Sequence, residues 1–142
     1  MKISTVAYNH LNSLIRASPP ETGGILGSND GDVITDIVLD IPSETTYTCA
    51  YSPNVTFLNT CISNWQSNGK HFKGVFHSHF FGIKTPSAAD KEYIINIMHA
   101  MPDSITELYF PIFVLPNREL ICYKAIRADL DIQLTQDALE II

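Results

Sequence analysis

The chain has 142 residues, of which 45% are apolar and 17% charged, and its formal net charge is -6. That size and balance suit one globular domain over residues 1–142, with a core that needs no staples, and they exclude a disordered chain. The acidic balance, with no basic run, excludes nucleic acid as the main partner, because phosphate contacts require clustered Lys and Arg. The first predicted element is a helix over residues 4–17, where Val6, Ala7, Leu11, Leu14 and Ile15 fall at helical spacing, Ser4 or Thr5 supplies a cap, and Pro19-Pro20 follows the end. "GGILGS" and "DVITDIVLDI" read as two strands joined by the turn "NDGD" at residues 29–32. "PSETTYTCAYSP" reads as a loop. "NVTFLNTCISNWQSN" reads as a helix with Val55, Leu58, Cys61, Ile62 and Trp65 on one face, and Gly69 follows it.

"HFKGVFHSH" reads as a strand, and residues 87–101 as a helix carrying Tyr93, Ile94, Ile97, Met98 and Met101 on one side. "TELYFPIFVLP" and "RELICYKAIRADL" read as two strands around a Pro116-Asn117 turn. The tail from Asp129 to Ile142 is open between a final strand and a short helix. Alternating helices and strands, with hairpins among them, predict a mixed sheet with helices packed on its faces. Three cysteines, Cys49, Cys61 and Cys122, form no CxxC pair, so a disulfide framework or a thiolate zinc site is not expected, and a reducing, cytoplasmic compartment fits. The N-terminal residues lack the apolar run of a signal peptide, and no stretch of about 20 apolar residues is present to span a membrane.

The chemistry concentrates in "VFHSHFFGIKTPSAAD", residues 75–90. Residues i and i+2 of a strand point to the same face, so His77 and His79 stand side by side, roughly 6.5–7 Å apart along the strand. Two imidazoles so placed can converge on one ion at metal–nitrogen distances of about 2.0–2.1 Å. Asp90, in the first turn of the next helix, is a natural third ligand. Two His and one carboxylate leave one tetrahedral position open, the make-up of a catalytic zinc site rather than a closed structural one. Such a site still needs a base to take a proton from water. Glu21, in "PPETGGILG", stands out because the glycines after it allow a close backbone approach. Each piece has a plain structural reading as well: Ser87-x-x-Asp90 is also a capping-box variant, and the glycine run is also a turn and a strand. His10, His71 and His99 show no partner pattern.

Taken together, an upstream Glu before a Gly-rich strand, then His-x-His, seven residues and Ser-x-x-Asp, resemble the signature of the JAMM, or MPN-plus, zinc metalloproteases. The resemblance covers the order of elements along about the whole chain. It implies a curved mixed β-sheet flanked by helices, in a three-layer architecture similar to the cytidine deaminases. It further implies one Zn²⁺ per chain held by His77, His79 and Asp90, with Glu21 as general base and Ser87 as the hydroxyl that stabilises an oxyanion. The implied substrates are conjugates of a ubiquitin-like or sulfur-carrier protein, cleaved after its C-terminal tail, and the short chain suggests a stand-alone prokaryotic member. A nucleotide deaminase is disfavoured, since the Pro-Cys-x-x-Cys ligand pair is absent. A non-catalytic MPN-type interaction module is the alternative, but such modules typically lose ligands or the Glu, and all five positions are kept here. One departure stands out: Phe80-Phe81 follow the second His where the family usually has Pro. If the strand runs on past His79, alternation puts Phe81 on the metal side, at the lip of the cleft and in contact with substrate, and Phe80 in the core.

Overall fold

The computed structural model describes residues 1–41 and 51–142. Of the expected loop, residues 42–53, the part from Pro42 to Ala50, with Cys49, lies outside the described residues. In chain order, the elements begin with β1 (Lys2–Ile3), α1 (Thr5–Leu14), β2 (Gly23–Ser28), β3 (Val33–Ile34), β4 (Asp36–Leu39) and α2 (Val55–Ser67). They continue with β5 (His71–His79), α3 (Ala88–Ala100), β6 (Glu107–Tyr109), β7 (Ile112–Val114), β8 (Glu119–Ala128), β9 (Asp131–Asp137) and β10 (Glu140–Ile141). Among the described residues, seven strands form a mixed sheet that runs β4-β2-β5-β6-β8-β7, with β9 added on β8 and a further pairing of β5 with β7. β1 lies between β10 and β3 in a small parallel sheet.

Among the described residues, three helices flank the main sheet. On one face α1 buries Ala7 and Leu11 against Leu26, Phe76, Phe113 and Leu120. On the other, Leu58 and Trp65 of α2 and Ile94 and Met98 of α3 pack on Ile25, Phe72, Val75 and Leu108. The layers are therefore helix, sheet, helices, as the alternation of elements predicts. No helix among the described residues is long and apolar enough to cross a membrane.

The helix starts follow capping chemistry. The Ser4 hydroxyl accepts from the Ala7 N–H, and the Asn54 side-chain oxygen accepts from the Phe57 N–H. The two expected apolar faces are narrower than the spacing suggests. Val6 and Val55 sit in the first turns of α1 and α2 and are 78% and 62% exposed. α1 also ends earlier than expected, at Leu14, and Ile15 is extended.

Two expected strands are each broken in two. "DVITDIVLDI" divides at Thr35, whose N–H donates to the Gly27 carbonyl (2.9 Å). The β4 half keeps the expected hairpin with β2, while the β3 half leaves it to pair with β1. "TELYFPIFVLP" divides at Phe110-Pro111, because Pro111 has no N–H for the ladder. Both halves still pair with β8, and both lie parallel to β5. The tail resolves as strands, β9 and β10, rather than a helix.

Candidate metal centre and its cleft

β5 is the spine of the site. It is paired antiparallel to β2, with Gly23 opposite His77, and parallel to β7, with His77 opposite Ile112 and His79 opposite Val114. Alternation then directs His77 and His79 together toward the face that carries α2 and α3, while Ser78 points the other way and its hydroxyl accepts from the Thr22 N–H (2.8 Å). Both imidazoles are buried. Their rings meet edge to face with centroids 4.7 Å apart, and the two Nε2 atoms are 2.9 Å apart. Asp90 enters from the first turn of α3. Its Oδ2 lies 3.0 Å from His79 Nε2 and 3.3 Å from His77 Nε2. Glu21 approaches from the segment before β2, and one of its carboxylate oxygens and the two histidine nitrogens all lie within 4.8 Å of one another, a cluster able to hold a metal ion.

The remaining ring nitrogens are accounted for. His79 Nδ1 lies 3.1 Å from the Ile83 carbonyl, which can only accept, so Nδ1 carries a proton and Nε2 is the nitrogen turned inward. His77 Nδ1 is 3.0 Å from the Tyr93 hydroxyl. With Nε2 of both rings unprotonated, two nitrogens and a carboxylate oxygen this close would repel one another unless a cation lay among them. A tetrahedral ion with ligand distances of about 2.0–2.1 Å holds its ligand atoms about 3.3–3.4 Å apart. The observed separations of 2.9–3.3 Å sit at or just inside that value, so the donor set fits such an ion.

The start of α3 has two uses for the same atoms. Ser87 Oγ accepts from the Asp90 N–H (3.1 Å), and Asp90 Oδ2 accepts from the Ser87 N–H (2.8 Å). This reciprocal capping box fixes the carboxylate that faces the histidines. Because Ser87 Oγ is used as an acceptor, its O–H is left to donate.

Charge follows geometry. Burial alone would raise the Asp90 pKa, but the neighbouring His77 and His79 and the hydrogen bond from the Ser87 N–H outweigh it, so the carboxyl is held well below its usual range. Glu21 goes the other way. Its burial raises the pKa more than the hydrogen bond from the Tyr51 N–H (2.8 Å to Oε2) lowers it. The two carboxylates of the site are thus pushed in opposite directions, one toward a permanent anion and one toward a proton acceptor that works nearer neutrality.

The site opens into a cleft of about 550 Å³, lined among others by Glu21, Tyr51, His79, Ser87, Asp90 and Tyr93. Phe80 and Phe81 line it as well, but not as strand continuation predicts. β5 ends at His79, and Gly82 N–H donates to the Leu115 carbonyl (2.8 Å), which turns the chain away. Phe81 takes a left-handed backbone, φ 58°, and is 89% exposed, on the rim rather than on the metal-facing row. Phe80 packs half-buried against the α1-side core instead of filling it.

Three residues of the site escape sequence reasoning. Tyr93, expected only as part of the apolar face of α3, also reaches His77. Its spacing of i+3 from Asp90 places both on one side of the helix, which is a usable signal. Tyr51 stacks on His77, with centroids 6.0 Å apart and planes 15° from parallel, and its hydroxyl donates to Asp40 Oδ2 (2.8 Å). Nothing local marks Tyr51 or Asp40, because they meet the site only through the fold.

Comparison with known proteins yields no match to a family model or to a curated protein sequence. Solved structures do match. A protein from Desulfitobacterium hafniense, solved in solution, aligns with a TM-score of 0.66 at 19% identity, over 99% of this chain and 92% of its own. A JAB1/MPN domain protein from Archaeoglobus fulgidus aligns with a TM-score of 0.58 at 19% identity, over 100% of this chain and 99% of its own. A structure described as JAMM, a metalloprotease-like zinc site in the proteasome and signalosome, aligns with a TM-score of 0.54 at 19% identity, over 100% of this chain and 97% of its own. The chain has the fold of these structures, a JAB1/MPN domain protein among them: a mixed sheet flanked, among the described residues, by three helices.

Proposed function

We propose that this protein is a zinc-dependent hydrolase that cleaves the peptide or isopeptide bond after the C-terminal tail of a ubiquitin-like or sulfur-carrier protein. The observation that carries the reading is the convergence of His77 Nε2, His79 Nε2 and Asp90 Oδ2 within 3.3 Å of one another, beside Glu21 and at the floor of an open cleft. His77, His79 and Asp90 are the ligands. A zinc ion there would supply a Lewis acid that polarises a carbonyl and makes water a nucleophile near neutral pH. Glu21, with its proton affinity raised by burial, takes the proton of the attacking water and passes it to the leaving amine. The Ser87 hydroxyl donates to the oxygen on which negative charge develops. Tyr93 and the Ile83 carbonyl hold the two rings with Nε2 inward. The rim at Phe81 and Ile83 suits a narrow, extended glycine-rich tail, which has no side chains to clash with it. The shared fold with a metalloprotease-like zinc site supports the same reading.

The test has two parts. Elemental analysis of freshly purified or reconstituted protein is expected to give close to one zinc per chain, and under a tenth of an equivalent after reconstitution sinks the metal assignment. Zinc-loaded protein is then offered ubiquitin-like fusions with a peptide or lysine-linked isopeptide bond after the tail. Cleavage at that bond, abolished in Glu21→Gln with zinc retained, supports the hydrolase. A protein that binds zinc yet cuts none of them is the non-catalytic module.

A further inference from the structure

The carboxylate read above as the base is not held by its own strand. Glu21 lies in the irregular segment before β2, and the recorded hydrogen bond to its side chain comes from a residue thirty positions away, the Tyr51 N–H to Oε2 at 2.8 Å. Tyr51 also precedes its helix, so neither partner is fixed by regular structure. Tyr51 is instead fixed at its far end. Its hydroxyl donates to Asp40 Oδ2 at 2.8 Å, and the same oxygen accepts from the Asn54 N–H at 2.9 Å. Asp40 is buried, and its own N–H donates to the Gly23 carbonyl at 2.8 Å, two residues from Glu21. The contacts close a circuit from Glu21 through Gly23, Asp40 and Tyr51 back to Glu21. Gly23 makes the circuit possible, since a Cβ there would overlap the Tyr51 ring. That ring in turn stacks on His77, so one residue meets both halves of the site, the carboxylate through its backbone N–H and the imidazole through its ring.

We propose that Asp40 and Tyr51 form a positioning pair for Glu21: Asp40 anchors the Tyr51 hydroxyl so that the Tyr51 N–H holds one Glu21 oxygen and leaves the other to face the histidines. This rests on the reading of Glu21 as the base. Neither Asp40 nor Tyr51 exchanges a proton with substrate; their effect is on where the carboxylate stands. A misplaced carboxylate slows proton transfer but leaves substrate binding alone, so the pair acts on kcat rather than KM. The two side chains act as one unit, so their deletions do not add.

Two readouts test this in the full chain, one of them without any substrate. The first is hydrogen exchange at the residue 51 amide in metal-free protein, where the bond to Glu21 gives protection. Tyr51→Phe keeps the ring, the stack and the N–H and removes only the hydroxyl. It is expected to speed exchange at residue 51 at least tenfold, with exchange at Phe76 in β5 changed less than threefold. Asp40→Ala is expected to do the same, and to add less than twofold in the Tyr51→Phe background. Asp40→Asn, which keeps an acceptor oxygen, is expected to recover most of the protection. The second readout is turnover of the zinc-loaded protein, where Tyr51→Phe is expected to lower kcat about tenfold with KM within twofold. Unchanged exchange at residue 51 in Tyr51→Phe overturns the proposal. So does a normal kcat with a raised KM, which makes Tyr51 a substrate contact. A wild type that cleaves nothing overturns the hydrolase reading alone, and exchange at residue 51 then decides the pair by itself.

Discussion

Residue 87 separates structure from chemistry with a single hydroxyl. Ser87→Ala removes the acceptor for the Asp90 N–H, and the lost cap is expected to cost about 0.5–2 kcal/mol. Zinc content is expected to stay at the wild-type level, since Ser87 is no ligand. If the hydroxyl also meets the oxyanion, kcat falls about 10²-fold or more with KM unchanged. Denaturant melts and steady-state kinetics on one preparation separate the two losses, and a normal kcat reduces Ser87 to a cap. Phe81 gives a second test at this scale. A bulky residue at φ 58° strains the backbone, which a purely structural loop would relieve with glycine. Phe81→Gly is therefore expected to raise stability by up to about 1 kcal/mol while raising KM for a tail-bearing substrate. A Phe81→Gly protein with unchanged KM shows that the ring has no part in recognition. Asp30 supplies a check far from the cleft. Its carboxylate accepts from the Asp32 and Val33 N–H groups and the Ser28 hydroxyl, and these bonds bring its pKa down from 3.8 to about 2. Because the folded value is the lower one, the contribution is fully present above pH 3.8 and is lost as pH falls through about 2. A carboxyl-detected NMR titration of Asp30 with a midpoint near 4 would contradict that turn geometry.

The elements show which features are legible in sequence and which need the fold. The helices and the His-bearing strand are readable because their signals are local: a cap, a 3.6-residue period, an alternation. His77, His79, Asp90 and Ser87 share one short stretch, so their neighbourhood could be argued from spacing alone. The divided strands were not readable, because what splits Val33–Ile34 from Asp36–Leu39 is the arrival of β1 from thirty residues earlier. The end of β5 was not readable either, since it depends on Leu115 capturing the chain at Gly82. Gly74 shows the same limit inside β5. Alternation passes over it, yet its φ is +143° and a Cβ would overlap the Tyr109 backbone, where β6 pairs with β5. Gly74→Ala is expected to destabilise the fold by about 3 kcal/mol or more, combining overpacking with backbone strain. Gly69→Ala is expected to cost only about 1–2 kcal/mol, because it has a positive φ but open space around it. Comparable losses in urea melts of the two variants would mean that β5 and β6 are not packed this closely.

At the scale of the whole molecule, the candidate metal centre lies on a scaffold whose two main apolar cores are built from other residues. The clusters around Phe76 and Phe113 on one face and around Trp65 and Met98 on the other contain none of the proposed ligands. The metal-free protein is therefore expected to remain folded, unlike small domains whose fold is built around zinc. Bound zinc adds stability by mass action, about 2.7 kcal/mol at a hundredfold excess over Kd. Calorimetry with chelator and then with added zinc is expected to show one cooperative transition that shifts upward. Loss of the transition on chelation would instead make the ion structural.

The two-sided pairing of β5 also separates what can drift from what cannot. The histidines sit where opening requires β2 or β7 to leave, so their backbone amides belong among the last to exchange. Glu21, Tyr51 and residues 80–86 lie outside regular strands and helices, where side-chain and loop hydrogen bonds stand in for a strand ladder. Substitutions on the rim can therefore accumulate without disturbing the proposed ligands, and on the proposed reading one rigid strand can serve many different substrate tails. Selection for a new partner would act on the rim long before it touched β5.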